Sequence, residues 1–350
     1  MPEVPLREVP TLDEVERRVA EMWSEVAADG KTVLRACKMN LVVVAGPGDE
    51  LPRLLEDLGR ITDMEPGRVL VVSPVTGKGG EGLKPWIAAH CHLGPGGHPV
   101  CSEQVVLEVT AQGEALVPEA VRRLLVSDVP VFVWWRAALA HEPLLTSIRE
   151  MADRFIVNSA GAEPAAGVLP LLASMTELRD WPGNVGDLAW VRTEAWREIV
   201  ASMFDPPETR LELSRLRSVG IDCCAGPGDC GSTGLYLAGW LASRLEWKVE
   251  GQGRARRPDG GAVEVGFRAG ESSVPGRITR VHLEAEGGAV FEASRTRSDG
   301  PAVRVLGKAR VPRLRRVQPL DDLTLLHGEL QRDGRDPIFE AALRTAAALS

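Results

Sequence analysis

No stretch of this 350-residue chain strings together the roughly 20 apolar residues that a helix needs to cross a bilayer. The start, Met1-Pro2-Glu3-Val4-Pro5, lacks the basic-then-apolar pattern of a secretory leader, so the expected compartment is the cytoplasm, with no membrane partner. Cysteine is scarce: the six present form no dense framework, which fits a reducing compartment where disulfides are not structural. Histidine is equally scarce, with six residues of which three, His90, His92 and His98, share one stretch, and aromatics make up only 5%. Catalytic signatures are missing as well. No Ser/His/Asp or Cys/His arrangement with a nucleophile elbow is present. Gly46-Pro47-Gly48-Asp49-Glu50 lacks the G-x-G-x-x-G spacing; Pro47 removes a donor, and Asp49 and Glu50 add negative charge where a phosphate would sit. Gly77-Lys78-Gly79-Gly80 lacks the upstream Gly and following Ser/Thr of a Walker motif. No cofactor is expected.

What is present is ordinary globular chemistry, 44% apolar and 26% charged. The length exceeds what one core usually supports, so two domains are expected, residues 1–206 and 207–350. The net charge of -8 is uneven: residues 251 to 320 hold 14 Lys and Arg against 7 Asp and Glu, a basic module on an acidic body. Nucleic-acid binding by that module is disfavoured by the scarcity of aromatics on its polar face for base stacking.

The chain is organised around Val131-Phe132-Val133-Trp134-Trp135, a β-branched and aromatic run with the composition of a strand buried on both faces. Helical runs flank it at Val117 to Val126 and Leu144 to Ala152, the grammar of a doubly wound sheet. Upstream, Thr11-Leu12-Asp13-Glu14 reads as a capping box opening an amphipathic helix to about Ala28. Leu41 to Ala45, Leu51 to Leu58 and Val69 to Val72 read as a βαβ unit. Residues 73 to 104 read as loop, and Gln104 to Val109 and Asp153 to Ser159 as strands. Val168 to Leu178 follows as a helix, and Thr193 is the expected N-cap of another. Asp205-Pro206-Pro207 closes the first domain. Beyond it, Ser232 to Leu245 reads as a helix, and residues 247 to 317 alternate as an antiparallel meander whose wet face carries the excess arginine. Two last helices, Asp321 to Gln331 and Ile338 to Leu349 behind the cap Asp336-Pro337, are expected to cover the dry face. The expected fold is therefore α/β: an N-terminal, mostly parallel, three-layer sheet domain, then an α+β domain with an antiparallel meander and covering helices.

Two sets of residues carry chemistry. His90, His92, His98 and Cys101 could supply three or four zinc ligands, although His90 and His92 share a face in an extended chain that turns Cys91 away. This defines a rival reading, a metal-binding α/β enzyme or small-molecule sensor; the bland one is a polar loop. Cys223, Cys224 and Cys230 form a thiol-rich loop that could cross-link or bind metal, but an adjacent pair chelates poorly. Trp134, Trp135, Arg136, Trp190 and Trp196 are candidate partner contacts, because tryptophan and arginine are enriched at interface hot spots. Against that, tryptophans on apolar helical faces are more often core.

Leu125-Val126-Ser127-Asp128-Val129-Pro130-Val131-Phe132-Val133-Trp134-Trp135, Asp187-Leu188-Ala189-Trp190, Leu237-Ala238-Gly239-Trp240-Leu241-Ala242-Ser243-Arg244 and Asp336-Pro337-Ile338-Phe339-Glu340 together resemble the OpcA family, the glucose-6-phosphate dehydrogenase assembly proteins. The resemblance runs from about Val33 to the last helix. It implies a non-catalytic chain that binds glucose-6-phosphate dehydrogenase, promotes its active oligomer and raises its activity, supplying NADPH through the oxidative pentose phosphate pathway.

Overall fold

The computed structural model describes residues 4–28, 34–35, 37–75, 82–93, 99–139, 143–161, 165–224, 231–251, 253–269, 277–295, 302–306, 313–316 and 321–350. His98, Cys230 and Gly77-Lys78-Gly79-Gly80 lie outside them. The residues group into two units that interleave along the chain: Met1–Val157 with Asp180–Gly186 and Leu326–Arg332, and Asn158–Arg179 with Asp187–Leu325 and Asp333–Ser350. The grouping first changes over after Val157, whereas the sequence reading placed the break at Pro206.

The first unit is built on a nine-stranded sheet. Its strands are β1 (Val4–Glu8), β2 (Leu34–Arg35), β3 (Asn40–Val44), β4 (Arg68–Pro74), β5 (Leu83–Leu93), β6 (Pro99–Val109), β7 (Val131–Trp135), β8 (Arg154–Val157) and β9 (Asn184–Asp187). They run in the order β1-β5-β6-β4-β3-β7-β8-β9, with β2 also pairing with β6. From β6 through β8 the pairing is parallel. The centre is the expected apolar stretch: all five residues of β3 are buried, and Val43 and Val44 sit opposite Trp134 and Trp135. Helices α1 (Val15–Ala28), α2 (Leu51–Met64), α3 (Val117–Leu124) and α4 (Pro143–Arg149) complete the unit. α2 buries Leu54, Leu58 and Ile61, the i, i+4, i+7 stripe of a helix with one apolar face. The buried Arg68 guanidinium donates to Glu103 at 2.7 Å, to Glu16 of α1 and to the Leu124 carbonyl at the end of α3. Gln104, on the other face of β6, donates to the Leu55 carbonyl of α2. Alternation along β6 therefore puts α1 and α3 on one face and α2 on the other, the three layers expected.

Three local expectations are corrected. Residues 83–93 are the long strand β5, not loop, and β6 starts at Pro99, five residues before the expected strand at Gln104; Pro85 within β5 and Pro99 at the start of β6 disguised the pair. The Thr11 hydroxyl makes no capping bond; its backbone carbonyl accepts from the Glu14 N–H instead. Disulfides are present: Cys91 and Cys101 face each other across the hairpin and are bonded, Cys223 is also disulfide-bonded, and Cys37 is free.

The second unit carries helices α5 (Ala165–Thr176), α6 (Leu188–Arg192), α7 (Glu194–Ser202) and α8 (Pro207–Arg210), then strand β10 (Leu216–Cys224) and helix α9 (Gly231–Arg244). Strands β11 (Lys248–Gly251), β12 (Arg254–Arg256), β13 (Ala262–Ala269), β14 (Arg277–Ala285), β15 (Val290–Arg295), β16 (Ala302–Leu306) and β17 (Arg313–Arg316) follow, then helices α10 (Asp322–Leu330) and α11 (Pro337–Leu349). The sheet order is β11-β12-β13-β10-β14-β15-β16-β17. The meander is thus interrupted: β10 inserts between β13 and β14, parallel to the first and antiparallel to the second. Its inner face, including Val219, Ile221, Val265, Val281, Leu283 and Phe291, is buried. Helix α9 lies against it and touches β10 and β14, while α11 packs on α9 and α5 and touches β11. α10 begins in the second unit and ends in the first. Asp336 caps α11 as expected, accepting from the Ile338 and Phe339 N–H groups. Thr193 does not cap α7; its hydroxyl donates to the Trp190 carbonyl, and the real side-chain cap nearby is Asp187 on α6.

Candidate functional site

The chain leaves β3 to build β4 and β6 on one side and returns with β7 on the other. The carboxyl ends of β3 and β7 thus form a switch point, the place where open α/β sheets hold ligands. The Gly46-to-Asp49 turn after β3 meets Arg136 after β7 there. Arg136 Nε donates to Asp49 Oδ2 at 2.8 Å, Nη2 donates to Oδ1, and the Gly46 N–H donates to Oδ2 at 2.8 Å. A Cβ on Gly46 would stand 2.5 Å from the Arg136 carbonyl oxygen, so the approach of the two turns requires glycine. The Arg136 guanidinium also lies over the Trp134 ring at 4.2 Å. Burial pushes the Asp49 carboxyl up, but hydrogen bonds from Arg136 and Gly46 and the charge of Arg136 outweigh it and hold the group below 3.8. The crevice contains its own anion, on the backbone donor and cation that would otherwise receive one.

A second polar centre is buried in the second unit. Asp187 is fully enclosed and accepts from the Ser159 N–H at 3.1 Å, the Ala189 N–H at 2.9 Å and the hydroxyl of Tyr236, the chain's one tyrosine, at 2.8 Å. Desolvation raises its pKa above 3.8 against those hydrogen bonds. Trp190 packs edge-on against Tyr236 and against Phe339, with Arg197 stacked 3.6 Å over its ring. These contacts fix where α6, α9 and α11 meet.

The tryptophans offered as partner contacts are core: Trp134, Trp135, Trp190 and Trp196 are 2 to 3% exposed. Trp135 donates to the Ala138 carbonyl and packs on Phe155, and Arg295 lies over Trp196. Alternation along a strand buried on both faces hides both members of the Trp134-Trp135 pair, which a sequence cannot separate from an anchor. Of the five candidates only Arg136 reaches solvent, with 26% of its side chain exposed.

Of the metal candidates within the described residues, His90 and His92 come together and Cys101 is placed apart from them. Cys101 is bonded to Cys91. His90 Nε2 and His92 Nδ1 do share a face, and both lie 3.0 Å from the same Asp63 oxygen on α2, clasping strand to helix. Among the described residues no cluster of three or more His, Cys, Asp or Glu is arranged to hold a metal ion. The Asp49–Arg136 contact was missed in the sequence, although its signal was there: an acid in the Gly turn after one central strand and a base directly after the other.

Two family models match the chain. One is described as the N-terminal domain of the glucose-6-phosphate dehydrogenase subunit and matches residues 59–173; the other, described as the C-terminal domain of the same protein, matches residues 183–343. The chain belongs to the OpcA family. Proteins named OxPP cycle protein OpcA are similar to it. The relative from Nostoc punctiforme is 29% identical over 209 residues, 59% of this chain and 43% of the relative. That from Synechococcus elongatus is 27% identical over 320 residues, 82% and 68% of the two. In Synechocystis the match is 29% over 191 residues, 53% of this chain and 38% of the relative, so the chain's match to the first relatives spans less than half of their length. Among solved structures, an oxidoreductase from Sinorhizobium meliloti aligns at TM-score 0.44 and 12% identity over 90% of this chain and 89% of that one. An Erwinia carotovora oxidoreductase aligns at TM-score 0.47 and 9% identity over 89% and 99%. Neither likeness carries an argument about this chain's activity. No helix of the described residues is long and apolar enough to cross a membrane.

Proposed function

We propose that this chain is a non-catalytic cytoplasmic partner of glucose-6-phosphate dehydrogenase, promoting its assembly into the active oligomer and raising its activity, and so the supply of NADPH in the oxidative pentose phosphate pathway. The observation that carries this reading is the pair of family models, both described as domains of a dehydrogenase subunit and together matching most of the chain. The switch-point crevice supports it: an α/β enzyme keeps that place for substrate or cofactor, and here it holds the Asp49–Arg136 ion pair. A metal-dependent enzyme is the weaker reading, because Cys101 is committed to a disulfide.

The test is to purify the chain and the dehydrogenase of the same cell separately, mix them, and follow molar mass by light scattering alongside NADPH formation. The expected outcome is a heavier complex and a faster dehydrogenase, with no NADPH formed by this chain alone. No association and no kinetic change would refute the proposal.

A further inference from the structure

Val219, Ile221, Val265, Val281 and Leu283 bury one face of the second unit's sheet, and the residues that alternate with them point the other way. Register sorts this outer set into three rows that cross the strands. The middle row is Gly266, Gly220 and His282, and the bare backbone of the two glycines floors a slot of about 360 Å³. Two residues along the strands on one side stand Arg268, Asp222 and Arg280. Two residues along on the other side stand Glu264, Ser218 and Glu284.

The charges here favour neither sign. Arg268 lies beside Asp222, Arg280 donates to Glu292 at 2.6 Å, and Arg217 donates to Glu284. A purely basic or purely acidic surface would meet as many like charges as opposite ones. What the rows do have is reversal across the middle. Glu264 and Arg268 flank Gly266 on β13, and Glu284 and Arg280 flank His282 on β14. On β10 the flanking pair is Ser218 and Asp222, a hydroxyl donor and a carboxylate. Turning the sheet over about a line along the middle row lays each member of these pairs on the other. The pattern is complementary to itself, which is the condition for an isologous interface.

The fold does not require the two glycines. A Cβ on Gly266 would meet nothing within 4 Å, one on Gly220 would come no nearer than 3.7 Å to His282, and neither has a left-handed backbone. Glycine inside a strand weakens it and marks places where another chain comes close. On a twofold axis the middle row faces its own copy, and bare backbone there leaves room for long side chains of the flanking rows to reach across. Glu292, which continues the row on β15, is held by Arg280 and has His282 at 3.5 Å.

We infer that two copies of this chain pack these outer faces together about a twofold axis along the row of Gly266, Gly220 and His282. Glu264 of each copy then lies against Arg268 of the other, and Glu284 of each against Arg280 of the other. Packed sheets stand about 10 Å apart, a gap that an arginine and a glutamate aimed at one another span. The inference does not depend on the dehydrogenase.

The chain alone tests it, with molar mass followed by light scattering over a wide range of concentration. Wild type is expected at twice the mass of the chain. Glu264→Arg and Arg268→Glu each set like charges against one another at two symmetry-related places, so each should weaken the dimer about tenfold or more. The double variant carrying both substitutions restores opposite charges and should restore the dimer. Glu264 and Arg268 are exposed, so all three variants are expected to keep the wild-type far-ultraviolet spectrum. A monomeric wild type overturns the inference, as does a dimer that both single variants leave intact or one that the double variant fails to restore. Failure here leaves the proposed function standing, because association with the dehydrogenase is read in a separate mixture.

Discussion

Gly239, in the middle of α9, is the position where one methyl group should do the most damage. An alanine Cβ there would overlap the Ala342 carbonyl oxygen and stand 2.7 Å from the Ala346 nitrogen and 2.9 Å from the Ala346 Cβ, all on α11. Two effects oppose each other. Replacing glycine by alanine inside a helix favours the folded state by about 1 kcal/mol. Overpacking costs about 1 to 3 kcal/mol, and the upper end applies here because two of the three atoms are backbone and cannot rotate aside. Gly239→Ala is therefore expected to destabilise the second unit by about 2 kcal/mol, which for a unit of this size lowers its thermal midpoint by about 4 to 8 °C. Gly328→Ala is the internal control, since that helical glycine on α10 has nothing within 4 Å of its Cβ and should gain up to about 1 kcal/mol. Thermal and urea unfolding followed by far-ultraviolet circular dichroism reads both. If Gly239→Ala is as stable as wild type, or gains as Gly328→Ala does, the close crossing of α9 and α11 is not what holds this unit together.

Other consequences are as direct. Asp187 has its pKa raised by burial, so the stability linked to its neutral form is complete below 3.8 and is lost as pH rises through the folded-state value. As pH rises above 3.8, wild type should lose stability relative to Asp187→Asn, and a constant gap in urea midpoint would contradict this. Asp49 behaves oppositely: its stabilisation is present above 3.8 and disappears as pH falls through its depressed value. Asp49→Ala should cost about 2 kcal/mol near neutrality by orphaning Arg136 and the Gly46 N–H, and the deficit should close in acid. Replacing Cys91 and Cys101 together by alanine opens a short loop and should cost about 2 to 3 kcal/mol; an unchanged unfolding midpoint would argue against the bond.

What could be read from the sequence was what depends on composition within one element. Val131 to Trp135 and Leu41 to Val44 are strands because β-branched and aromatic runs of that length suit a strand buried on both faces. Asp336-Pro337 starts α11 because its cap lies within three residues of what it caps. What was not legible depends on distant residues. β10 lies between β13 and β14 although more than thirty residues separate it from either, and no local pattern records that insertion. The Thr11 and Thr193 caps failed because a hydroxyl that fits the motif can bond to a carbonyl or to nothing in the folded chain. The slot needed both kinds of information: glycines visible in the sequence, and a register that shows them lying side by side.

The interleaving of the units has a consequence for how the protein is made. Arg154, on β8 of the first sheet, is buried against Glu329, 175 residues further along, and a buried arginine deprived of its carboxylate is strongly destabilising. A ribosome that has delivered the whole of the first sheet has still not delivered this counter-charge. The first unit is completed only when synthesis is nearly over, once the segment Leu326–Arg332 has followed.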